Sequence, residues 1–298
     1  MTTAAAPRGR ARPAYSAAHP SKSVAVTLLM TFFVIYTVVP LAWLVINATK
    51  TQADLFSSFG LWFGGDVALV DNIRQTLTYR DGVYVRWLLN TLLYVVVGAG
   101  GATLLATLAG YGLAKFRFPG RQAVFSVVLG AVAVPWTALT VPTFLLFSRL
   151  GLTNTPWAII VPSLVSPFGL YLIWVYAVES VPTEILEAAR VDGAGELRTF
   201  FTISLRMLAP GIATVLLLTT VTTWNNYFLP LIMLSEPDWY PLTVGLNQWN
   251  SQSIGASAQP IHHLVITGSL LAIIPIVAAF LLLQRYWQSG LTAGSVKQ

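Results

Sequence analysis

Six long apolar runs without a charged residue most constrain what this chain can fold into. They cover about residues 24–46, 87–113, 124–147, 157–177, 211–234 and 264–283. A helix that crosses a bilayer needs about 20 predominantly apolar residues, and every run is long enough. Only 9% of the residues are Asp, Glu, Lys or Arg, against about 25% in a soluble domain. The sequence therefore predicts an all-α integral membrane protein with six transmembrane helices.

The segments between and around the runs complete the predicted organisation. Residues 1–22 are rich in Ala, Pro and Arg without apolar periodicity, which predicts a disordered tail. The run at 24–46 is too long for a signal peptide and is interpreted as the first transmembrane helix. Residues 51–86 form a predicted external loop. The core then spans residues 87–284, and residues 285–298 form a C-terminal tail.

The positive charges predict how the protein lies in the membrane. Six spans place both termini on one side, and 12 of the 17 Lys and Arg residues lie on that side. Because cytoplasmic segments carry an excess of Lys and Arg, both termini are predicted to be cytoplasmic. The net charge of +6 then requires no nucleic acid as a partner.

Several kinds of activity lack the residues that they require. The spans hold no Asp, Glu, Lys or Arg, whereas coupled carriers generally need such groups inside the membrane. The chain has no cysteine and no phosphate-binding P-loop motif. The adjacent His262 and His263 point different ways on a helix and make a poor metal pair. We therefore predict no catalytic or metal site, and ATP, if used, must be bound by another chain.

One polar insert interrupts the apolar pattern. It covers residues 179–210 and holds five of the eleven acidic residues. Its pattern predicts two short helices that meet at Gly193, because glycine commonly ends a helix in the left-handed conformation. The predicted apolar faces are Ile185, Ala188 and Ala189 in the first helix, and Leu197, Phe200, Phe201 and Leu205 in the second. By pattern alone, the insert is either an amphipathic hairpin on the membrane surface or a docking site for a partner.

The residues of the insert resemble the EAA loop of bacterial ABC importer permeases. The matching positions are Glu187-Ala188-Ala189, Asp192-Gly193-Ala194, Phe200, Ile203, Leu205 and Pro210. The resemblance implies a type I ABC importer permease fold, in which this loop is the coupling helix that docks on a cytoplasmic ATPase. It assigns the coupling role to Glu184, Glu187, Ala188, Ala189, Asp192, Gly193 and Ala194. Arg206 stands where the family usually has proline.

Other segments are similar to the carbohydrate importers of the maltose type. These are residues 109–121, 150–155, 224–231 and the C-terminal residues 284–297, which look like the MalG-like permease subunit. The resemblance implies a bacterial cytoplasmic (inner) membrane protein that works with a second, non-identical permease, two ATPase subunits and an external solute-binding protein. ATP and Mg are then bound by the ATPase subunits, and this chain holds no cofactor.

The fifth run contains the candidate substrate path. Trp224, Asn225, Asn226 and Tyr227 place aromatic rings and amides inside an apolar segment. Amide hydrogen bonds and aromatic stacking suit a sugar or another neutral polar solute. The alternative is that these side chains only join neighbouring helices, as polar residues in membrane bundles often do.

Small residues recur at every fourth position of the second run, at Gly98, Ala102, Ala106 and Gly110. Such a stripe lets two membrane helices approach closely, so we predict a packing role for it.

Three other functions remain open from the sequence. The chain could be a stand-alone secondary carrier or channel, or a membrane anchor whose hairpin docks a signalling partner. It could also be an ABC permease for an amino acid or a peptide. Uptake indifferent to ATP would favour the carrier, and the absence of solute flux would favour the anchor.

Overall fold

The computed structural model describes residues 23–255 and 257–293, and in these residues the chain is helical without a β-strand. The chain divides into two units between Trp43 and Leu44. Helix α1, Val24–Ala48, supplies nearly all of the described part of the first unit. Its side chains are exposed from Val24 to Leu41, as expected of a helix that lies in lipid. The first predicted span is thus a helix of the expected length.

The second unit contains fourteen further α-helices within the described residues. They are α2 (Asp54–Ser57), α3 (Leu69–Leu93), α4 (Gly100–Lys115), α5 (Arg121–Val132), α6 (Trp136–Arg149), α7 (Trp157–Ser163), α8 (Pro167–Ser180), α9 (Thr183–Val191), α10 (Glu196–Thr199), α11 (Leu205–Met207), α12 (Ala209–Trp224), α13 (Phe228–Met233), α14 (Leu242–Gln252) and α15 (His262–Ala293). Two π-helical stretches, Tyr94–Ala99 and Phe200–Ser204, continue α3 into α4 and α10 into α11.

Length and composition mark four helical segments of the described chain as possible membrane spans. They are Val24–Ala48, Leu69–Lys115, Trp157–Ser180 and His262–Gln284. Two bent pairs raise the number to six if each pair is one span: α5 with α6, bent by 104°, and Glu196–Met207 with α12, bent by 75°. The predicted count of six falls at the upper end of this range.

The helices depart from the predicted organisation at several places, including the break between α7 and α8 inside the fourth predicted span, 157–177. The third predicted span, 124–147, bends sharply before Pro135, whose ring cannot continue the helix from α5. The fifth, 211–234, breaks after Trp224. Helix α3 begins at Leu69, so the second half of the predicted external loop is helical, with a reversal at residues 80–82 where φ is positive.

The predicted C-terminal tail is partly helical. Helix α15 continues to Ala293, so residues 285–293 of the predicted C-terminal tail are helical. The predicted tail at residues 1–22 and the last residues, 294–298, lie outside the described residues.

The stripe of small residues lies at a close contact between helices of the second unit. Gly98, Ala102, Ala106 and Gly110 are all buried. A Cβ atom added to Gly110 would lie 2.8 Å from the Leu170 carbonyl oxygen and 2.9 Å from the Ile173 Cβ, both on α8. The predicted packing role is therefore confirmed, and the backbones of α4 and α8 meet at Gly110.

Adding one methyl group at this contact should destabilise the bundle. We expect Gly110→Ala to lower the free energy of unfolding by about 1–3 kcal/mol, because the backbone of α8 cannot move aside cheaply. Gly112→Ala is the matched control, since its Cβ would have no atom within 4 Å. Thermal unfolding of the purified protein in detergent measures both, and equal melting temperatures would contradict the prediction.

Candidate functional site

The polar insert folds as two helices joined at a glycine. Helix α9 begins after Pro182, and α10 follows Gly195. Gly193 has a φ of 78°, its N–H donates to the Arg190 carbonyl, and the Ala194 N–H donates to the Ala189 carbonyl at 2.9 Å. These two bonds form a Schellman motif, the common way in which a helix ends on glycine. The joint predicted at Gly193 is present.

A salt bridge joins the two helices across the glycine. Arg190 Nε donates to the Glu196 carboxylate at 2.7 Å, and this bond raises the pKa of Arg190 above its usual range. Glu187 adds a weaker attraction to the same guanidinium. The sequence predicts that Glu187 and Asp192 cap helices or pair with bases. Glu187 lies near the Arg190 charge, and Asp192 occupies the C-terminal cap position of α9. Neither caps an N-terminus, because those positions in α9 and α10 are Pro182 and Gly195, without a side-chain bond.

The buried face of the insert differs from the predicted one. Leu186 and Ala189 of α9 are buried, whereas Ile185 and Ala188 are exposed. In the second half, Phe200 is buried and Leu205 half-buried, but Leu197 and Phe201 face outward. The predicted faces are wrong at these positions because the insert packs on one cluster, formed with Tyr111, Ala177, Val181 and Leu208. Periodicity alone does not show where that cluster lies.

Three large apolar residues of the insert face outward among exposed charges. Val191 is 88% exposed, Leu197 76% and Phe201 58%. Glu184, Glu187, Asp192 and Arg198 are also exposed. Apolar side chains rimmed by polar ones are typical of a protein–protein contact. We call Val191, Leu197 and Phe201 the outward surface of the insert.

A second candidate site is a cavity of about 800 Å³. Its wall is formed by the bend between α5 and α6 and by the break between α7 and α8. Helix α12 and the segment after Trp224 complete the wall. This volume falls in the range of small-molecule sites. None of the described residues that line it is charged. Its polar groups are hydroxyls and amides.

Three of the four predicted substrate-path residues line this cavity. Asn225, Asn226 and Tyr227 form part of its wall, because the helix stops at Trp224 and the chain runs irregularly to Phe228. Trp224 is instead buried in an aromatic cluster with Trp87 and Trp249. The Asn225 amide donates to the Val221 carbonyl at 2.9 Å, and the Tyr227 hydroxyl donates to Asn247 at 3.1 Å.

Most of the polar groups in the cavity wall were not predicted from the sequence. Thr140, Ser163, Ser166, Thr219 and Thr222 supply hydroxyl groups to it. Thr219 and Thr222 also donate to carbonyls one turn back in α12, which is why threonine is tolerated in an apolar helix. The run of threonines in α12 was the signal that could have identified Thr219 and Thr222.

The two histidines at the start of α15 make contacts that join helices. The ring nitrogens of His263 lie 2.8 Å from Gln52 Oε1 and 3.0 Å from Gln75 Oε1. His262 packs edge-on against Phe56. These contacts join α15 to the segment after α1 and to α3. No group of three or more His, Cys, Asp or Glu residues that could hold a metal ion occurs within the described residues.

Comparisons with known proteins cover most of the chain. Residues 102–292 match the family described as "Binding-protein-dependent transport system inner membrane component". The arabinooligosaccharides transport system permease protein AraQ of Halalkalibacterium halodurans is 31% identical, over 93% of this chain and 98% of that protein. The lactose transport system permease protein LacG of Rhizobium radiobacter is 33% identical, over 87% and 90%.

A solved structure shares the fold. It is the crystal structure of a bacterial ABC transporter involved in the import of the acidic polysaccharide alginate. One of its chains superposes with a TM-score of 0.77, covering 89% of this chain and 95% of that chain at 21% identity. At this identity the likeness concerns the fold alone.

Proposed function

Because the chain belongs to the family of binding-protein-dependent transport system inner membrane components, we propose that it is one of two permease subunits of an ATP-driven importer for a short oligosaccharide. It forms half of the translocation path, and the second half comes from a non-identical permease. Two ATPase subunits bind ATP and Mg on the cytoplasmic side. An external solute-binding protein delivers the sugar. Both termini lie in the cytoplasm.

One observation supports this proposal: a single chain combines an uncharged cavity, whose mainly apolar wall carries hydroxyl and amide groups, with an exposed polar hairpin. The hydroxyl and amide groups of the cavity wall can replace the hydrogen bonds that a sugar makes with water. The rings of Trp136, Phe168 and Tyr227 in the wall offer faces for its apolar side. The relatives named above transport arabinooligosaccharides and lactose, which supports a neutral oligosaccharide.

The polar insert is the proposed coupling element. Its outward surface docks on the ATPase, and closure of the ATPase pair moves the insert as a rigid body. The inner face remains packed on the cluster with Tyr111 and Val181. Within the insert, Glu184, Glu187, Ala188, Ala189, Asp192, Gly193 and Ala194 keep the coupling role assigned above. Nothing in this chain acts as a catalytic residue.

Co-purification and uptake test this function together. The protein is tagged at its N-terminus, extracted from its native membrane in mild detergent, and its partners are identified by mass spectrometry. We expect an ATPase and a second permease. The complex is then reconstituted in liposomes with its binding protein, and ATP-dependent uptake is measured over a panel of oligosaccharides. A protein recovered alone that transports without ATP would identify a secondary carrier instead.

The cavity wall should respond to loss of one amide. Asn226 lines the cavity and is half-buried. We expect Asn226→Leu, which keeps the volume and removes the amide, to slow uptake at saturating sugar and binding protein about tenfold, as the loss of a buried hydrogen bond of about 1–3 kcal/mol implies. Basal ATP hydrolysis should not change. Asn226→Gln, which keeps an amide, should recover part of the rate, and unchanged uptake in the leucine variant would exclude Asn226 from the path.

A further inference from the structure

We propose that Tyr111 and Lys115, at the C-terminal end of α4, are positioning residues that fasten the polar insert to α4 and pass its movement to the cavity wall. The inference rests on the proposed function, in which the insert docks on the ATPase. It adds two residues outside the insert to the coupling machinery. It also identifies α4 as the element that connects the insert to the cavity.

Lys115 holds the start of the insert's first helix. Its ammonium group donates to the Val181 carbonyl at 2.6 Å. Val181 is completely buried and lies between the end of α8 and the start of α9. The last carbonyls of a helix lack partners within it, so this lysine supplies one where the chain turns. Glu184, in the first turn of α9, attracts the same charge.

Tyr111 holds the second half of the insert. It lies four residues before Lys115, so the two side chains share one face of α4. Its hydroxyl accepts a hydrogen bond from Ser204 Oγ at 3.1 Å, and both residues are buried. Its ring lies 4.8 Å from that of Phe200. Residues at both ends of the insert are therefore attached to the same turn of α4.

The other end of α4 reaches the cavity wall directly. Thr103 Oγ1 lies 3.1 Å from Thr219 Oγ1, and Thr219 lines the cavity. Just before α4, a Cβ atom at Gly98 would lie 2.8 Å from the Cβ of Ser163, which is also in the wall. A continuous helix thus connects the residues that hold the insert with residues that face the cavity. A close-packed contact transmits displacement because it has little room to deform.

The experiment measures how the cavity responds to nucleotide. Since the chain has no cysteine, Thr222→Cys places a single thiol in the cavity wall. Its labelling rate with N-ethylmaleimide is measured in the complete complex, without nucleotide and with MgATP plus vanadate. Lys115→Met and Tyr111→Phe are compared with Lys115→Arg. The matched control is Arg117→Met, which removes an exposed charge two residues after Lys115, beyond the end of α4.

We expect the nucleotide-dependent change in labelling rate to fall about tenfold in Lys115→Met and Tyr111→Phe, within the range of coupling between two sites. The labelling rate without nucleotide and the amount of bound ATPase should stay at the level of the Thr222→Cys complex without other changes. Lys115→Arg, which keeps a positive charge, should show part of the nucleotide response. The control Arg117→Met should show the full response. Combining Tyr111→Phe with Ser204→Ala should reduce the nucleotide-dependent change in labelling no more than either substitution alone, because both remove the same hydrogen bond.

Two results would overturn the inference. The first is a full nucleotide response in both Lys115→Met and Tyr111→Phe. The second is loss of the ATPase from these variants, since that would make the two residues part of docking instead of transmission. A wild-type complex without ATPase, or a Thr222→Cys complex without other changes whose labelling rate does not respond to nucleotide, would instead overturn the proposed function itself.

Discussion

Replacing Gly193 by valine is expected to uncouple ATP hydrolysis from uptake. Gly193 has a φ of 78°, a conformation that a β-branched residue adopts only at a strain of roughly 1–3 kcal/mol. A Cβ atom there would meet no atom within 4 Å, so the effect comes from the backbone and not from a clash. The strain is relieved when the joint opens, which breaks the bond from Ala194 to Ala189 and changes the angle between α9 and α10. Uptake per ATP should fall about tenfold, in keeping with that strain.

The control for this substitution lies two residues away. Gly195 has a φ of −69° and precedes α10, where threonine is tolerated about as well as glycine. Gly195→Thr therefore adds a side chain of the same shape as valine to the same exposed hairpin without strain. Reconstituted complexes are compared for ATP hydrolysis and uptake measured together. Wild-type rates of both in Gly193→Val would refute the coupling role of this joint.

The second large effect is expected at the outward surface of the insert. Leu197 is 76% exposed, which is unfavourable in water unless a partner covers it. Burying a leucine contributes about 1.5–3 kcal/mol, and a buried carboxylate without a partner adds a further cost. Leu197→Asp should therefore weaken docking of the ATPase at least about tenfold. Uptake and ATPase recovery should fall together.

The amount of ATPase that co-purifies with the tagged chain measures this loss. Leu197→Met, which keeps an apolar side chain of similar volume, should retain the ATPase. Thermal unfolding of the isolated chain should be unchanged in both variants, because Leu197 packs against little of its own protein. Undiminished recovery of the ATPase with Leu197→Asp would show that this surface meets lipid or another partner.

The two predictions separate docking from transmission. Leu197→Asp acts on the contact with the ATPase, whereas Gly193→Val leaves that surface in place and changes how the hairpin holds its shape. The first should remove the ATPase, and the second should keep it while hydrolysis continues without transport. The joint and the surface lie within one segment of the sequence. The two substitutions should act differently because Gly193 has a positive φ, whereas Leu197 is exposed.

The resemblance of the chain to the carbohydrate ABC importer permeases, drawn from its residues, is confirmed by the comparisons. The helical character of the apolar runs, the joint at Gly193 and the packing role of the small-residue stripe were also predicted correctly, although the spans bend and break inside several runs. Each of these depends on local chemistry. Apolar runs partition into lipid, glycine adopts positive φ readily, and a residue without a large side chain permits a close approach wherever its helix packs.

The sequence by itself thus determined the class of protein, its family and the place of the polar insert. Only the tertiary structure decided which faces are buried, where the spans bend, and which residues meet across the chain. Ile185 and Leu186 are equally apolar, yet only Leu186 packs inward, because the inner cluster lies on its side. Lys115 and Val181 are 66 residues apart, but they share a hydrogen bond. Local patterns specify what a residue prefers, whereas its partner is set by the packing of segments that are distant in the sequence.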